Sequence, residues 1–367
     1  MTWRELEAEN LYNLRNRIVV DVRSPCEFEA ERIPNAINVP LLSDSEREEV
    51  GIVYARDGEV IARRLGLTII SPKIPAIVDR ICQLKKQDAP LVIHCWRGGL
   101  RSEAVASFLA IVGIDCWRLK GGYKAWRRLV LNDFARGDFP GLKNFVVLQG
   151  RTGVGKTEIL EALERLGAQV LNLEKLASHR GSFFGGLGLS AQPTQKNFEG
   201  ELWEKIVSMN NTPVFVEAES RKVGRISLPD WVLNGIANGR QVLITDSTAN
   251  RRQRLLGQYL PFTTVGAHGD EPGGGDENLV AEALKHISLL TDRLGKQNIA
   301  RILELSAAKD YGEIVELLLE LYYDPLYDKG IGAQRRFHLT VTGEDSGDAA
   351  EKIWNWSQCL VTIEASQ

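Results

Sequence analysis

The sequence predicts an α/β protein: two parallel-sheet domains in tandem, followed by a mainly helical C-terminal part packed on the second. Three observations carry that expectation. Short apolar runs alternate with helical patterns, the order that builds a mostly parallel sheet covered on both faces. A stretch rich in Gly, Pro and polar residues, "NDFARGDFPGLKN" (132–144), interrupts the alternation, which then restarts. Each run also holds one strand–loop–helix whose loop composition suits an anion. The expected domains are 1–138, 139–266 and 267–367.

In the first domain, "RIVVDVRS" and "AINVPL" read as strands, "IPAIVDRICQLKK" as a helix and "PLVIHC" as a third strand. "SEAVASFLAIVG" is a helix stopped by Gly113, "IDCWRLKGG" a strand and turn, and "YKAWRRLVLN" a closing helix. The second domain begins with strand "FVVLQG" and a helix from Lys156, and continues through strands "AQVLNL", "TPVFVEAES" and "RQVLITDS". The loop "AHGDEPGGGDENL" (267–279) is a second break, and beyond it the chain reads as helix only. No internal repeat is visible.

Length and composition set limits. At 367 residues the chain exceeds one ordinary domain, and 44% hydrophobic with 25% charged residues is typical of a soluble globular protein. A formal net charge of −3 excludes any argument from a globally basic surface. The polar opening "MTWRELEAEN" predicts no secretory leader, and the lack of an 18-residue apolar run predicts no membrane span. Five widely spaced cysteines (Cys26, Cys82, Cys95, Cys116, Cys359) with no Cys-x-x-Cys argue against a disulfide framework or zinc ribbon. A reducing cytoplasm is the expected location.

The first chemical signal is "LVIHCWRGGLRSEAVASFL", in which Cys95 ends an apolar strand and Arg101-Ser102 opens a helix. In such a loop the backbone N–H groups converge above the sulfur and the helix N-terminus adds its positive end. With Arg97 and Arg101 nearby, a thiolate at Cys95 is favoured. The candidate catalytic residues are Cys95, Arg97 and Arg101. Two chemistries share this His-Cys-x5-Arg-Ser loop, phosphoester hydrolysis and sulfur or selenium transfer. The upstream stretch "DVRSPCEFEAERIPNAINVPL" (21–41) separates them, because it resembles the opening of the rhodanese family. That family usually has Gly-His before Ile-Pro, where this chain has Glu31-Arg32. "LKGGYKAW" (119–126) resembles the end of the rhodanese fold. The resemblance implies a rhodanese-like first domain and sulfurtransferase-type chemistry.

The second signal is "VVLQGRTGVGKTEIL", with Gly150-x4-Gly155-Lys156-Thr157 between an apolar strand and a helix. This is the context of a P-loop. Gly150, Thr152, Gly153, Gly155, Lys156 and Thr157 are the candidate diphosphate-binding residues. Thr157 offers a hydroxyl to a divalent cation such as Mg2+. A second ligand is sought at strand ends, at Glu217, Glu219 or Asp246, with Glu219 preferred; the same residues could instead cap helices. No Asn-Lys-x-Asp motif selects a nucleobase, so a diphosphate carried by something other than a nucleotide stays open.

Beyond the two loops, "NLEKLASHRGSFFG" (172–185), "QPTQKNFE" (192–199), "FVEAESRKVG" (215–224) and "ELYYDPLY" (320–327) resemble segments of the bacterial tRNA 2-selenouridine synthase family. The likeness runs over nearly the full length. The family's polar motifs map onto His179, Arg180, Gly181 and Ser182, onto Gln195 and Phe198, and onto Glu219, Ser220 and Arg221. His179, Arg180, Ser182 and Arg221 are the candidate contacts to tRNA or diphosphate. The family implies a two-stage change of a tRNA wobble 2-thiouridine: geranylation from geranyl diphosphate, then replacement of the S-geranyl group by selenium from selenophosphate. An enzyme supplying selenophosphate is an expected partner, and a membrane is not. Two other readings keep the same parts: an ATP-dependent tRNA sulfurtransferase, and a rhodanese-type phosphatase or anion sensor with a regulatory NTPase. Because the net charge is negative, RNA contact is expected from local basic loops: Arg180, Lys196, Arg221, Lys222, Arg225, Arg251, Arg252 and Arg254.

Overall fold

The computed structural model of the protein describes residues 3–85, 89–139, 144–210, 213–259, 275–330 and 336–364. The chain divides into two units, Met1–Asp138 with Pro193–Glu204, and Phe139–Gln192 with Lys205–Gln367. Among the described residues no helix is long and apolar enough to cross a membrane.

The first unit is built on strands β1 (Arg4–Leu6), β2 (Ile18–Asp21), β3 (Ile37–Asn38), β4 (Leu91–His94) and β5 (Trp117–Leu119). They form one parallel sheet in the order β1-β5-β4-β2-β3. All four residues of the central β4 are buried, as a continuous apolar run in a two-sided parallel sheet demands. Helices Ile74–Leu84 and Leu100–Ile111 send Ile81, Val105 and Leu109 into a core shared with Val20 and Ile93. Helices Asp44–Asp57 and Glu59–Ile70 have no counterpart in the sequence reading. Ile52, Tyr54, Val60 and Ile61 are exposed there, so no clean apolar stripe marks these helices. The first of them starts at a reciprocal cap, in which Ser43 Oγ accepts from the Glu46 N–H and Glu46 Oε2 accepts from the Ser43 N–H.

The second unit carries β6 (Phe145–Gln149), β7 (Gln169–Leu171), β8 (Val214–Glu217), a small antiparallel hairpin β9 (Lys222–Val223) and β10 (Ile226–Ser227), then β11 (Arg240–Thr245) and β12 (Leu339–Thr342). Its parallel sheet has the order β12-β11-β6-β8-β7. Val146, Leu148, Phe215 and Ile244 from the sheet pack with Leu160 and Leu163 of the helix Lys156–Arg165. A separate helical core joins Ile287, Leu290, Ile302, Ile314 and Leu318 to Phe184.

Three expectations are corrected. The region 267–367 is not helix only: β12 extends the second sheet beside β11, and the helix Ser346–Glu364 packs on Lys156–Arg165. An edge strand with only Val341 buried has too little apolar alternation to be read from sequence. Nor does all of 139–266 fold with the second sheet, since Pro193–Glu204 belongs to the first unit. There Asn197 Oδ1 accepts from the Arg32 N–H at 2.9 Å, Thr194 Oγ1 donates to Ala30 O at 2.8 Å, and Trp203 Nε1 donates to Asp133 Oδ2 at 2.9 Å. The expected linker 132–144 begins as helix, because Gly122–Arg136 runs through it to a cap at Gly137. Its residues 140–143, and 267–274 of the second break, lie outside the described residues.

In each sheet the strand order reverses beside a central strand, β4 in one and β6 in the other. Open α/β sheets bind ligands at the carboxyl ends of strands at such a reversal. Cys95 directly follows β4, and Gly150 directly follows β6.

Candidate functional site

The cysteine loop is held by backbone contacts. Gly98 has φ +62, and a Cβ there would stand 2.6 Å from Leu119 O; at Gly122, with φ +58, it would stand 2.2 Å from Cys95 O. Only glycine allows the loop and the Gly121-Gly122 turn to approach this closely. Tyr123 N–H donates to Cys95 O at 2.9 Å and Lys124 N–H to Trp96 O at 3.0 Å. The "LKGGYKAW" segment is therefore the clamp of the loop. Cys95 is buried, and its Sγ lies 3.3 Å from Ser102 Oγ in the first turn of Leu100–Ile111.

Beneath the loop, Arg23 and Asp21 form a fully buried pair, with Arg23 Nη2 2.6 Å from Asp21 Oδ2. The Arg23 guanidinium also faces the rings of Tyr123 and Trp96, at 4.6 and 5.8 Å. Burial acts upward on the Asp21 carboxyl, but His94 and Arg23 outweigh it and hold the group below its usual range. Burial pushes the His94 imidazole down, opposed by Asp21 at 3.7 Å. Asp21-Val22-Arg23 thus ties the end of β2 to the loop that follows β4. Arg101 turns to Glu27, with Nη1 2.6 Å from Oε2, and Arg97 is exposed. The two predicted arginines therefore flank the sulfur loop in different settings, one paired and one in solvent.

In the second unit the predicted phosphate residues form one loop. Gly155, with φ +88, leads into the helix Lys156–Arg165, a conformation that side chains other than glycine rarely adopt. Lys156 Nζ donates to Gly150 O at 2.9 Å, which stations its charge over the loop. Two arginines brace the loop from below. Arg251 Nε donates to Thr152 O at 2.8 Å and Arg254 Nη1 to Gly153 O at 2.6 Å. Asp324 in turn pairs with Arg251 at 2.6 Å and with Arg151 at 3.2 Å. This gives "YYDPLY" a role in holding the loop. It also places Arg251 and Arg254, expected to contact RNA, behind the phosphate site.

Beside Lys156 three carboxylates converge: one oxygen each of Glu174, Glu217 and Glu219 lies within 4.8 Å of the others. Thr157 Oγ1 is 3.4 Å from Glu174 Oε2. Glu217 is fully buried; one oxygen accepts from the Glu174 N–H at 3.1 Å, and Oε2 has no partner. Burial, then Glu174, pushes Glu219 up to about 8, and burial with the same neighbours raises Glu217 well above the usual carboxylate range. Three clustered acids resist joint ionisation unless a cation sits among them. A set of carboxylate and hydroxyl oxygens fits a hard divalent ion such as Mg2+. Glu174, in the first turn of the short helix Leu173–Ala177 that follows β7, was not singled out from the sequence, because a helical position carries no strand-end signal. Asp246 is not in this cluster; it accepts from the Ser247 N–H at 2.7 Å, from Asn250 Nδ2 at 2.8 Å and from Arg254 at 2.9 Å, while the cap of the following helix is Ser247, whose Oγ accepts from the Asn250 N–H at 3.1 Å.

The remaining predicted contacts separate. A Cβ at Gly181 would stand 2.5 Å from Glu219 Oε1, so the His179–Ser182 loop abuts the acids. Arg180 donates to Leu187 O at 2.7 Å and faces the Tyr259 ring at 4.9 Å, and Ser182 Oγ is 3.3 Å from Tyr259 Oη. Burial, then Arg180, lowers the His179 imidazole, which favours its neutral form. Arg221 instead stands on the surface in an exposed pair with Asp230 at 3.3 Å.

Comparison with known proteins also finds two parts. Residues 6–129 match the model of the rhodanese-like domain, and residues 143–357 that of the "tRNA 2-selenouridine synthase AAA domain". Similar proteins include the tRNA 2-selenouridine synthases of Psychromonas ingrahamii (31% identical, covering 89% of this chain and 92% of that one), Shewanella denitrificans (33%, 86% and 88%) and Pseudomonas putida (34%, 91% and 91%).

Proposed function

The chain belongs to the tRNA 2-selenouridine synthase family, and from that premise we propose that it converts 2-thiouridine at the tRNA wobble position to 2-selenouridine in two steps. In the first, the 2-thiouridine sulfur attacks C1 of geranyl diphosphate; the C–S bond forms as the C–O bond breaks, and diphosphate departs. In the second, the selenium of selenophosphate adds at C2 of the base and geranyl thiol leaves; water then cleaves the Se–P bond, releasing phosphate and leaving selenium on C2. Alkylation has a clear purpose, since it turns a poor leaving group into a good one.

The observation that carries this reading is the phosphate loop with Lys156 above it and the acids Glu174, Glu217 and Glu219 beside it. Backbone N–H groups and Lys156 stabilise negative charge on a departing diphosphate. A divalent cation held by Thr157 and Glu219, with Glu174 and Glu217, supplies further positive charge when bound. The cysteine loop serves the second step. Its N–H groups and the start of Leu100–Ile111 attract the anionic selenium donor, and Cys95 stands at the centre of that cradle. The exposed bases of the hairpin region and the His179–Ser182 loop are the proposed contacts to tRNA.

The test is mass spectrometry of nucleosides from 2-thiouridine tRNA incubated with the protein, geranyl diphosphate, selenophosphate and Mg2+. S-geranyl-2-thiouridine followed by 2-selenouridine is expected. Sulfur or selenium incorporation that needs ATP and ignores geranyl diphosphate would favour the sulfurtransferase reading. Hydrolysis of generic phosphoesters at Cys95, with no change to the tRNA, would favour the phosphatase.

A further inference from the structure

The second unit contains an apolar cavity of about 770 Å3, counted with the part open to solvent. One wall is Thr152 of the phosphate loop; the others include Phe184, Leu255, Ala283, Leu318 and Tyr323. The chemistry of the lining is one-sided. Leucine, isoleucine, valine and aromatic side chains dominate, and Tyr259 among them already has Ser182 as its hydroxyl partner at 3.3 Å.

A nucleobase is a poor occupant, because its ring nitrogens and exocyclic groups would be buried without partners. A hydrocarbon chain meets no such penalty. Continuity with the phosphate loop through Thr152 means that one molecule can have its diphosphate on the loop and its tail in the cavity. The rings of Phe184, Tyr259, Tyr311 and Tyr323 add aromatic faces, which attract the partial positive charge of an allylic carbon as its C–O bond breaks.

We propose that this cavity, between the phosphate loop and the helices Gly275–Ser288 and Tyr311–Leu318, is the binding pocket for the hydrocarbon chain of an allylic diphosphate, and that its depth sets the chain length. The proposal rests on the reading of the P-loop as a site for a non-nucleotide diphosphate. Each buried methylene is worth about fourfold in affinity, so the cavity makes a measurable difference between chains.

Binding of inorganic pyrophosphate, dimethylallyl diphosphate, geranyl diphosphate and ATP to the full-length protein in Mg2+ tests this. Ala283 is half-buried in the cavity wall, and Ala283→Trp fills it from the helix Gly275–Ser288. Wild type should prefer geranyl to dimethylallyl diphosphate by up to about 10³-fold, five further carbons at about fourfold each. Ala283→Trp should erase most of that preference while pyrophosphate binds as before. Leu318→Ala deepens the cavity and should shift the preference by about tenfold toward a fifteen-carbon chain. If wild type discriminates by chain length and neither variant alters it, the chain lies elsewhere; the pocket assignment fails and the proposed function stands. If wild type binds ATP tightly and geranyl diphosphate no better than pyrophosphate, the proposed function fails too. Should Ala283→Trp lose pyrophosphate binding, the chain-length order of Leu318→Ala decides, and an unchanged order overturns the assignment.

Discussion

Glu219 shows how burial and charge compete at a single residue. Its carboxyl is pushed up to about 8 by burial, then by Glu174, against an ordinary value of 4.5. A carboxyl with a raised folded-state pKa binds its proton more tightly folded than unfolded, so stability falls as pH rises between those two values. The penalty is absent below about pH 4.5 and complete above about pH 8. In a chelator, the melting temperature should therefore drop from about pH 5 to about pH 8. Mg2+ should flatten that slope and raise the melting temperature most at the alkaline end, because the ion takes the place of bound protons. Glu219→Gln should flatten the slope in chelator as well. A wild-type melting temperature independent of pH in chelator would remove the case for a strained acid cluster. Single residues of this site were readable to different depths. Lys156 and Thr157 sit in a motif whose spacing is its function, whereas Glu174 becomes visible only once β7 and β8 lie side by side.

At the scale of elements, the helix Thr248–Tyr259 is the support of the phosphate loop, through Arg251 and Arg254. Arg251 is buried and depends on Asp324 for its charge partner. Asp324→Ala leaves that guanidinium buried without its carboxylate and should cost about 2–3 kcal/mol, below the span for a fully enclosed pair because Asp324 keeps some exposure. Pyrophosphate affinity should fall together with the urea midpoint, and Arg251→Met with Asp324→Leu should recover stability without recovering affinity. Stability unchanged in Asp324→Ala would show that the brace carries no weight. The main elements were legible because buried parallel strands are continuous apolar runs, as in "PLVIHC" and "FVVLQG". Elements that escaped have a common cause. The helices Asp44–Asp57 and Glu59–Ile70 expose apolar residues, and β12 buries one side chain. Segment 193–204 leaves its sequence neighbours for the first unit through Asn197, Thr194 and Trp203, contacts that no local pattern announces.

For the whole molecule, a net charge of −3 has to be reconciled with a polyanionic substrate. With Arg251 and Arg254 committed to the phosphate loop, the exposed bases left from the expected set include Lys222, the first residue of β9, and Arg221 just before it. Replacing both by alanine should make the dependence of log affinity on log salt shallower by about 1.5, the share of two phosphate contacts on a single strand. An unchanged slope would move the RNA surface elsewhere. The two loops also divide the chemistry, and that division is testable. Lys156→Ala removes charge beside the leaving diphosphate and should slow geranyl transfer by about 10²-fold or more, as for loss of one preorganised stabilising group. The selenium step is then starved, so both products vanish. Cys95→Ala leaves the phosphate loop intact, so S-geranyl tRNA should accumulate while 2-selenouridine disappears. Pre-made S-geranyl tRNA given to Lys156→Ala with selenophosphate should restore selenium incorporation, because that protein lacks only the alkylation step. If Cys95→Ala abolishes geranylation in a protein that is folded and still binds tRNA, the steps are not divided between the loops, and the cysteine loop must act in alkylation as well.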